Sequence, residues 1–141
     1  MANAPRTQED PMSTFVAFAG NLAKEPELLY TQDDKPFISC RVLVSRRVTH
    51  DVGEWVDAEP TAHNVKIYGT FANHVHDSAG RGTPIAVQGV GQTETWTDME
   101  TGRKRTRDDV VVDHRFGNVA VSLRRNSVRL ERVAPAADAA N

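Results

Sequence analysis

Apolar and polar positions alternate along most of this chain, and a period of two marks a strand with one buried face. In PFISCRVLVSRRV (36–48), Ile38, Cys40, Val42 and Val44 share one face, while Arg41, Leu43, Ser45 and Arg47 share the other. AHNVKIYG (62–69) repeats the pattern, with His63, Val65 and Ile67 against Ala62, Asn64, Lys66 and Tyr68. FVAFAGNL (15–22) reads as an apolar strand ending in Gly-Asn, a turn signal. TPIAVQGVGQTETW (83–96) is a strand in which Gly89 and Gly91 suggest bulges or a sharp bend. After a Met-Glu-Thr-Gly turn, RKRTRDDVVVDH (103–114) runs back, and NVAVSLRRNSVRLERV (118–133) is a further extended piece. One segment breaks the period: in TFANHVHDSAGRG, Phe71, Val75 and Ala79 fit a short helical face stopped by Gly80 and Gly82.

The order is three strands, a short helix, two strands and an extension. A bent sheet with glycines at its corners and a helix after the third strand is what an all-β, five-stranded Greek-key barrel of the OB type requires. Another small β-sandwich or barrel is the alternative. The expected organisation is a disordered N-terminal segment over 1–12, the barrel over 13–116, a C-terminal strand over 117–133 and a short disordered tail over 134–141.

Composition narrows the function. The chain has 141 residues, 39% hydrophobic and 26% charged, which suits one globular domain. Neither a bilayer-spanning apolar run nor a signal-peptide core is evident, so a soluble, cytoplasmic protein is expected. The single cysteine, Cys40, excludes a disulfide framework, and its place among core positions marks it as a small buried hydrophobe. His74 and His76 point to different sides of a helix and the other histidines are scattered, so no metal site is expected. No nucleophile elbow, phosphate-cradling loop or acid–base pair is present, which argues against an enzyme and against a cofactor.

The net charge of −2 does not announce a nucleic-acid binder, but the basic residues are clustered. Arg46 and Arg47 form one group, Arg103, Lys104, Arg105 and Arg107 a second, and Arg124, Arg125, Arg129 and Arg132 a third. Tyr68 and Lys66 fall on the polar face of the third strand, with Arg41 and Arg47 on the polar face of the second. Trp96 lies beyond the glycine bend beside the basic turn, and Trp55 falls in the loop HDVGEWVDAE. Outward aromatics flanked by cations suit single-stranded nucleic acid: bases stack on the rings while Arg and Lys neutralise phosphates. For any one of these residues a barrel-end cap or a solvated charge is an equal explanation; for the set, a binding groove is favoured. The arginines near the C-terminus also suit a charged strand edge, or an edge that pairs with another subunit.

FAGNLAKEPEL, followed in order by VSRRV…GEW, NVKIYGTFANHV…GRG and TETWTDMETGRKR leading into VVVD, resembles bacterial single-stranded DNA-binding proteins over about residues 14–125. The resemblance implies an OB fold, a homotetramer built from dimers, and sequence-nonspecific binding of single-stranded DNA in replication, recombination or repair. Trp96 and Tyr68 carry over as stacking positions, Trp55 matches a tryptophan of some members, and 103–107 becomes a flap that grips DNA. The C-terminal segment resembles an extra strand that clamps a dimer.

Three departures matter. Val48 and Ala62, followed by His63, stand where aromatics are usual, and APAADAAN lacks the family's acidic, hydrophobic tail tip. The expectation is therefore an auxiliary paralogue that does not recruit replication proteins through its tail. A weakly binding assembly partner of a full-length paralogue, and an RNA-binding OB module, are the alternatives.

Overall fold

A computed structural model describes residues 13–49 and 53–133; the segments 1–12 and 134–141, expected to be disordered, lie outside the described residues. The elements are β1 (Thr14–Leu22), β2 (Glu27–Tyr30), β3 (Pro36–Thr49), β4 (Trp55–Tyr68), α1 (Thr70–Ser78), β5 (Pro84–Thr97), β6 (Lys104–Val112) and β7 (Asn118–Val121).

Five of the strands close on themselves. β1 pairs with β3, β3 with β4, β4 with β6, β6 with β5, and β5 returns to β1. All these pairings are antiparallel except β4–β6, where Asn64 to Ile67 run alongside Asp109 to Val112 in parallel. This is an OB barrel, with α1 following the third barrel strand as the sequence led us to expect. β2 is a short addition to the edge of β3. β7 is the C-terminal extra strand, but it covers only Asn118–Val121 and pairs with β5 of the same chain. Residues 122–133, also expected to be extended, form no strand.

Alternation selects the core. Ile38 and Val42 of β3, Val65 and Ile67 of β4, Ile85 and Val87 of β5, and Val110 and Val112 of β6 point inward and are buried. Ala72 and Val75 of α1 join the same cluster, and the helix packs beside β2, β3 and β4. Cys40 is half-buried among these residues, and burial pushes its thiol up to about 11. His63 stacks on Phe18 with ring centroids 4.1 Å apart, which takes it out of contention as an outward platform.

Three local expectations need correcting. Gly20 and Asn21 do not end β1; they lie within it, where a side chain on Gly20 would strike the Leu43 carbonyl of β3. Trp55 is not in a loop but opens β4 opposite Thr49, because Val48 and Val56 extend the β3–β4 ladder almost to the turn. The bulge expected at Gly89 or Gly91 lies elsewhere, between Val44 and Arg46 of β3 where it faces β4. Register along β5 is unbroken through both glycines. β5 instead changes neighbours there: one edge holds β7 over Ile85–Gln88, then β6 over Val90–Thr97.

The two glycines have different work. A Cβ on Gly89 would sit 2.7 Å from both Val110 Cγ1 and the Val111 carbonyl oxygen, whereas at Gly91 the nearest atom, Val16 Cγ2, is 3.4 Å away. Gly89→Ala should therefore destabilise the barrel by about 1–3 kcal/mol, as overpacking does. Gly91→Ala should fall within about 0.5 kcal/mol of the parent. Urea unfolding of the two variants checks this, and equal losses would mean that close approach at Gly89 is not what the fold requires.

Candidate nucleic-acid interface

The outward face of the barrel is built from residues that alternate with the core. Cross-strand register aligns Phe37, Ser39 and Arg41 of β3 with Tyr68, Lys66 and Asn64 of β4. Asn64 and Lys66 in turn stand beside Asp109 and Val111 of β6. Across β6, Asp109, Arg107 and Arg105 face Gln92, Glu94 and Trp96 of β5. Side chains opposite one another in a ladder share a face, so these four strands present one continuous surface.

Its centre is an ion-pair network. The Asp109 side chain is only 1% exposed, and its carboxylate accepts from Arg107 Nε at 2.9 Å and Nη2 at 3.4 Å. Lys66 Nζ lies 3.7 Å from the same carboxylate and donates to Glu94 Oε2 at 2.8 Å. Arg107 Nη2 donates to Glu94 Oε1 at 3.0 Å. Two cations and two anions thus sum to zero. The Arg107 guanidinium also lies over the Trp96 ring, 5.9 Å from its centroid, and Trp96 is 44% exposed.

The expected site residues divide accordingly. Trp96, Arg105, Arg107, Lys66, Tyr68 and Arg41 share this face. Tyr68 stacks on Phe37 at 5.6 Å between centroids. Arg105 reaches Asp98 at 3.4 Å, and Asp98 shapes the hairpin tip by accepting from the Glu100 amide at 2.9 Å. Lys104, opposite Thr97, alternates to the other face of β6. Arg103 immediately follows the tip, and its carbonyl accepts from the Asp98 amide.

The β3–β4 arm is similarly split. Arg47 opposes Asp57, forming an exposed pair at 3.7 Å, and alternation along β3 keeps it on the face of Arg41, with Trp55 two residues along β4 from Asp57. Arg46 points to the opposite face, so the two arginines do not serve one groove. Trp55 is 61% exposed. Among the described residues, Arg41, Arg46, Arg103 and Lys104 have no ion-pair partner.

Sequence reasoning missed Phe37, Glu94 and Asp109. The alternation that turns Arg41 outward also places the half-buried Phe37, four residues earlier, on the same face. The spacing of two between Arg107 and Asp109 was legible on one strand, but nothing in the sequence brings Lys66 of β4 to Glu94 and Asp109. Among the described residues no group of side chains could hold a metal, and no helix is long and apolar enough to cross a membrane.

Residues 14–119 match the model of the family described as "Single-strand binding protein family". The single-stranded DNA-binding protein of Borreliella burgdorferi is 27% identical over 99 residues, covering 70% of this chain and 65% of its own length. That of Mycobacterium tuberculosis is 31% identical over 101 residues, covering 71% and 61%. The chain therefore spans about three-fifths of the length of these relatives. Among solved structures, the small single-stranded DNA-binding protein of Streptomyces coelicolor superposes with a TM-score of 0.64 at 23% identity, over 81% of this chain and 98% of that one. The Plasmodium falciparum SSB in complex with ssDNA gives 0.70 at 12% identity, over 82% and 99%. These two likenesses establish the fold.

The network carries a pH signature. The Lys66 hydrogen bond holds the Glu94 carboxyl below the usual carboxylate range; burial opposes this, and the Lys66 and Arg107 charges add to it. The hydrogen bond to Glu94 likewise raises the Lys66 ammonium, again against burial. A lowered carboxyl contributes stability that is complete above its unfolded value of about 4.3 and is lost as pH falls through the folded value. The melting temperature of Glu94→Gln should therefore lie below that of the parent near neutral pH and converge with it on acidification. A gap that persists in acid would mean the Glu94 charge does not stabilise the fold.

Proposed function

The chain belongs to the single-strand binding protein family, and on that premise we propose that it binds single-stranded DNA without sequence preference, by base stacking and phosphate neutralisation. The observation that carries this reading is Trp96, held half-exposed beneath the Arg107 guanidinium on a face that continues through Lys66 to Tyr68 and Arg41. A ring flanked by cations accepts any base, because every base has a π-face, and so favours single strands over duplex. Trp55, Arg47 and Arg105 extend the face at its two ends, while Arg103 and Lys104 supply charge at the hairpin tip. The binding serves replication, recombination or repair of DNA in the cytoplasm, and no catalytic step is involved.

The protein works as an assembly of its own copies, a tetramer built from dimers with the segment 117–133 as the clamp. An unused ladder supports this. β1 pairs with β5 along Thr14–Asn21 but with β3 only at Asn21 and Leu22, so over Thr14–Gly20 its other edge has no strand neighbour among the described residues. Such an edge is a template for a second chain. Light scattering should give a mass several times that of one chain; a monomer would sink this part of the proposal.

One observation favours a second reading, a weakly binding assembly partner of a full-length paralogue: the centre of the face is already neutral. Anisotropy titrations with labelled oligo-dT separate the two. Trp96→Ala should weaken binding roughly 5- to 150-fold, the scale of about 1–3 kcal/mol per stacked base in OB-fold single-strand binders. Replacing Arg103, Lys104, Arg105 and Arg107 together with Ala should flatten the salt dependence by roughly 0.7 for each phosphate no longer neutralised. Binding that ignores both changes would place the DNA on another surface, and equal affinity for duplex would contradict single-strand selectivity.

A further inference from the structure

Glu94 is not needed to balance a buried charge. Asp109 is the buried anion, and it already has Arg107 on both oxygens and Lys66 at 3.7 Å. The Glu94 side chain is itself 44% exposed, and it lines the shallow pocket formed with Thr95, Trp96 and Arg107. Its two oxygens are divided between two cations, Oε2 on Lys66 and Oε1 on Arg107. The two non-bridging oxygens of a phosphodiester would bind the same pair of cations, with the neighbouring base within reach of the tryptophan ring.

We infer that Glu94 is an internal competitor for the DNA backbone: its carboxylate occupies the phosphate position beside Trp96, and it sets how tightly and with what salt dependence a strand is held. The inference rests on the single-strand-binding reading above. A strand that docks here must first displace Glu94 from Lys66 and Arg107, then tolerate a carboxylate next to its phosphates. Without the Glu94 charge, Asp109 alone opposes Lys66 and Arg107, leaving one net positive charge facing the strand.

The test compares wild type, Glu94→Gln, Asp108→Asn and Trp96→Ala for binding of labelled oligo-dT across a salt series. Asp108 accepts from Thr93 Oγ1 at 2.7 Å on the opposite face of β6, so its substitution makes the same change in net charge away from the network. Glu94→Gln should bind roughly three- to tenfold more tightly at about 50 mM salt, with a slope steeper by about 0.7 for the one further phosphate neutralised. Asp108→Asn should move either quantity much less. Glu94→Asp, too short to span both cations, should shift in the same direction and serves if Glu94→Gln does not fold.

Unchanged or weaker binding by Glu94→Gln, alongside a wild type that binds and is weakened by Trp96→Ala, would overturn the competitor and leave the binding reading standing. An equal gain in Asp108→Asn would also overturn it, as a general charge effect. If neither the wild type nor Glu94→Gln binds oligo-dT, the binding reading itself fails, and this inference with it.

Discussion

A carboxylate out of reach of water governs the outward face of this barrel. Asp109 stands on the solvent side of β6, yet its side chain is only 1% exposed. A charge so placed costs several kcal/mol unless it is paired and hydrogen-bonded. Arg107, two residues away on the same strand, supplies a fork of donors, and Lys66 supplies a second cation from β4. Both side chains are thereby held in place. Arg107 is then fixed over Trp96, and Glu94 bridges the two cations from β5. One buried anion thus orients charge from three strands around one aromatic ring.

The fold makes this meeting possible through two features. The parallel β4–β6 pairing brings Lys66 within reach of Asp109, although the two lie on either side of a helix and another strand in the sequence. The change of neighbours along β5 then lets a single strand serve the core with Ile85 and Val87 and the outer face with Glu94 and Trp96. Gly89 sits at that transition, where β6 approaches too closely for any side chain.

Much of this was legible in the sequence, because alternation is local. Ile38, Val42, Val65 and Ile67 identify themselves as core by their spacing, and the same spacing turns Arg41, Lys66 and Tyr68 to the outer face. The break in period over 70–79 marks the helix, and the hairpin after Trp96 follows from its turn residues. What escaped depends on pairings between distant strands. Clustered cations read as free positive charge, yet Arg107 is matched by Asp109 on its own strand and Glu94 across the hairpin, and Lys66 by carboxylates that only the closed barrel brings near. Plain alternation sends Arg46 and Arg47 to opposite faces just past the bulge after Val44, and the long β3–β4 ladder draws Trp55 out of its expected loop. β2 is too short, and too dependent on the edge of β3, to declare itself.

The central claim is that nucleic acid stacks on Trp96 within this charged centre. Its most direct test is the fluorescence of a Trp55→Phe protein, in which Trp96 is the sole tryptophan, during titration with oligo-dT. The account predicts strong quenching that saturates with the strand, weakens as salt is added and is absent with duplex of equal length. Unchanged emission while anisotropy shows the strand to be bound would contradict it, and would leave phosphate binding elsewhere on the surface as the basis of affinity.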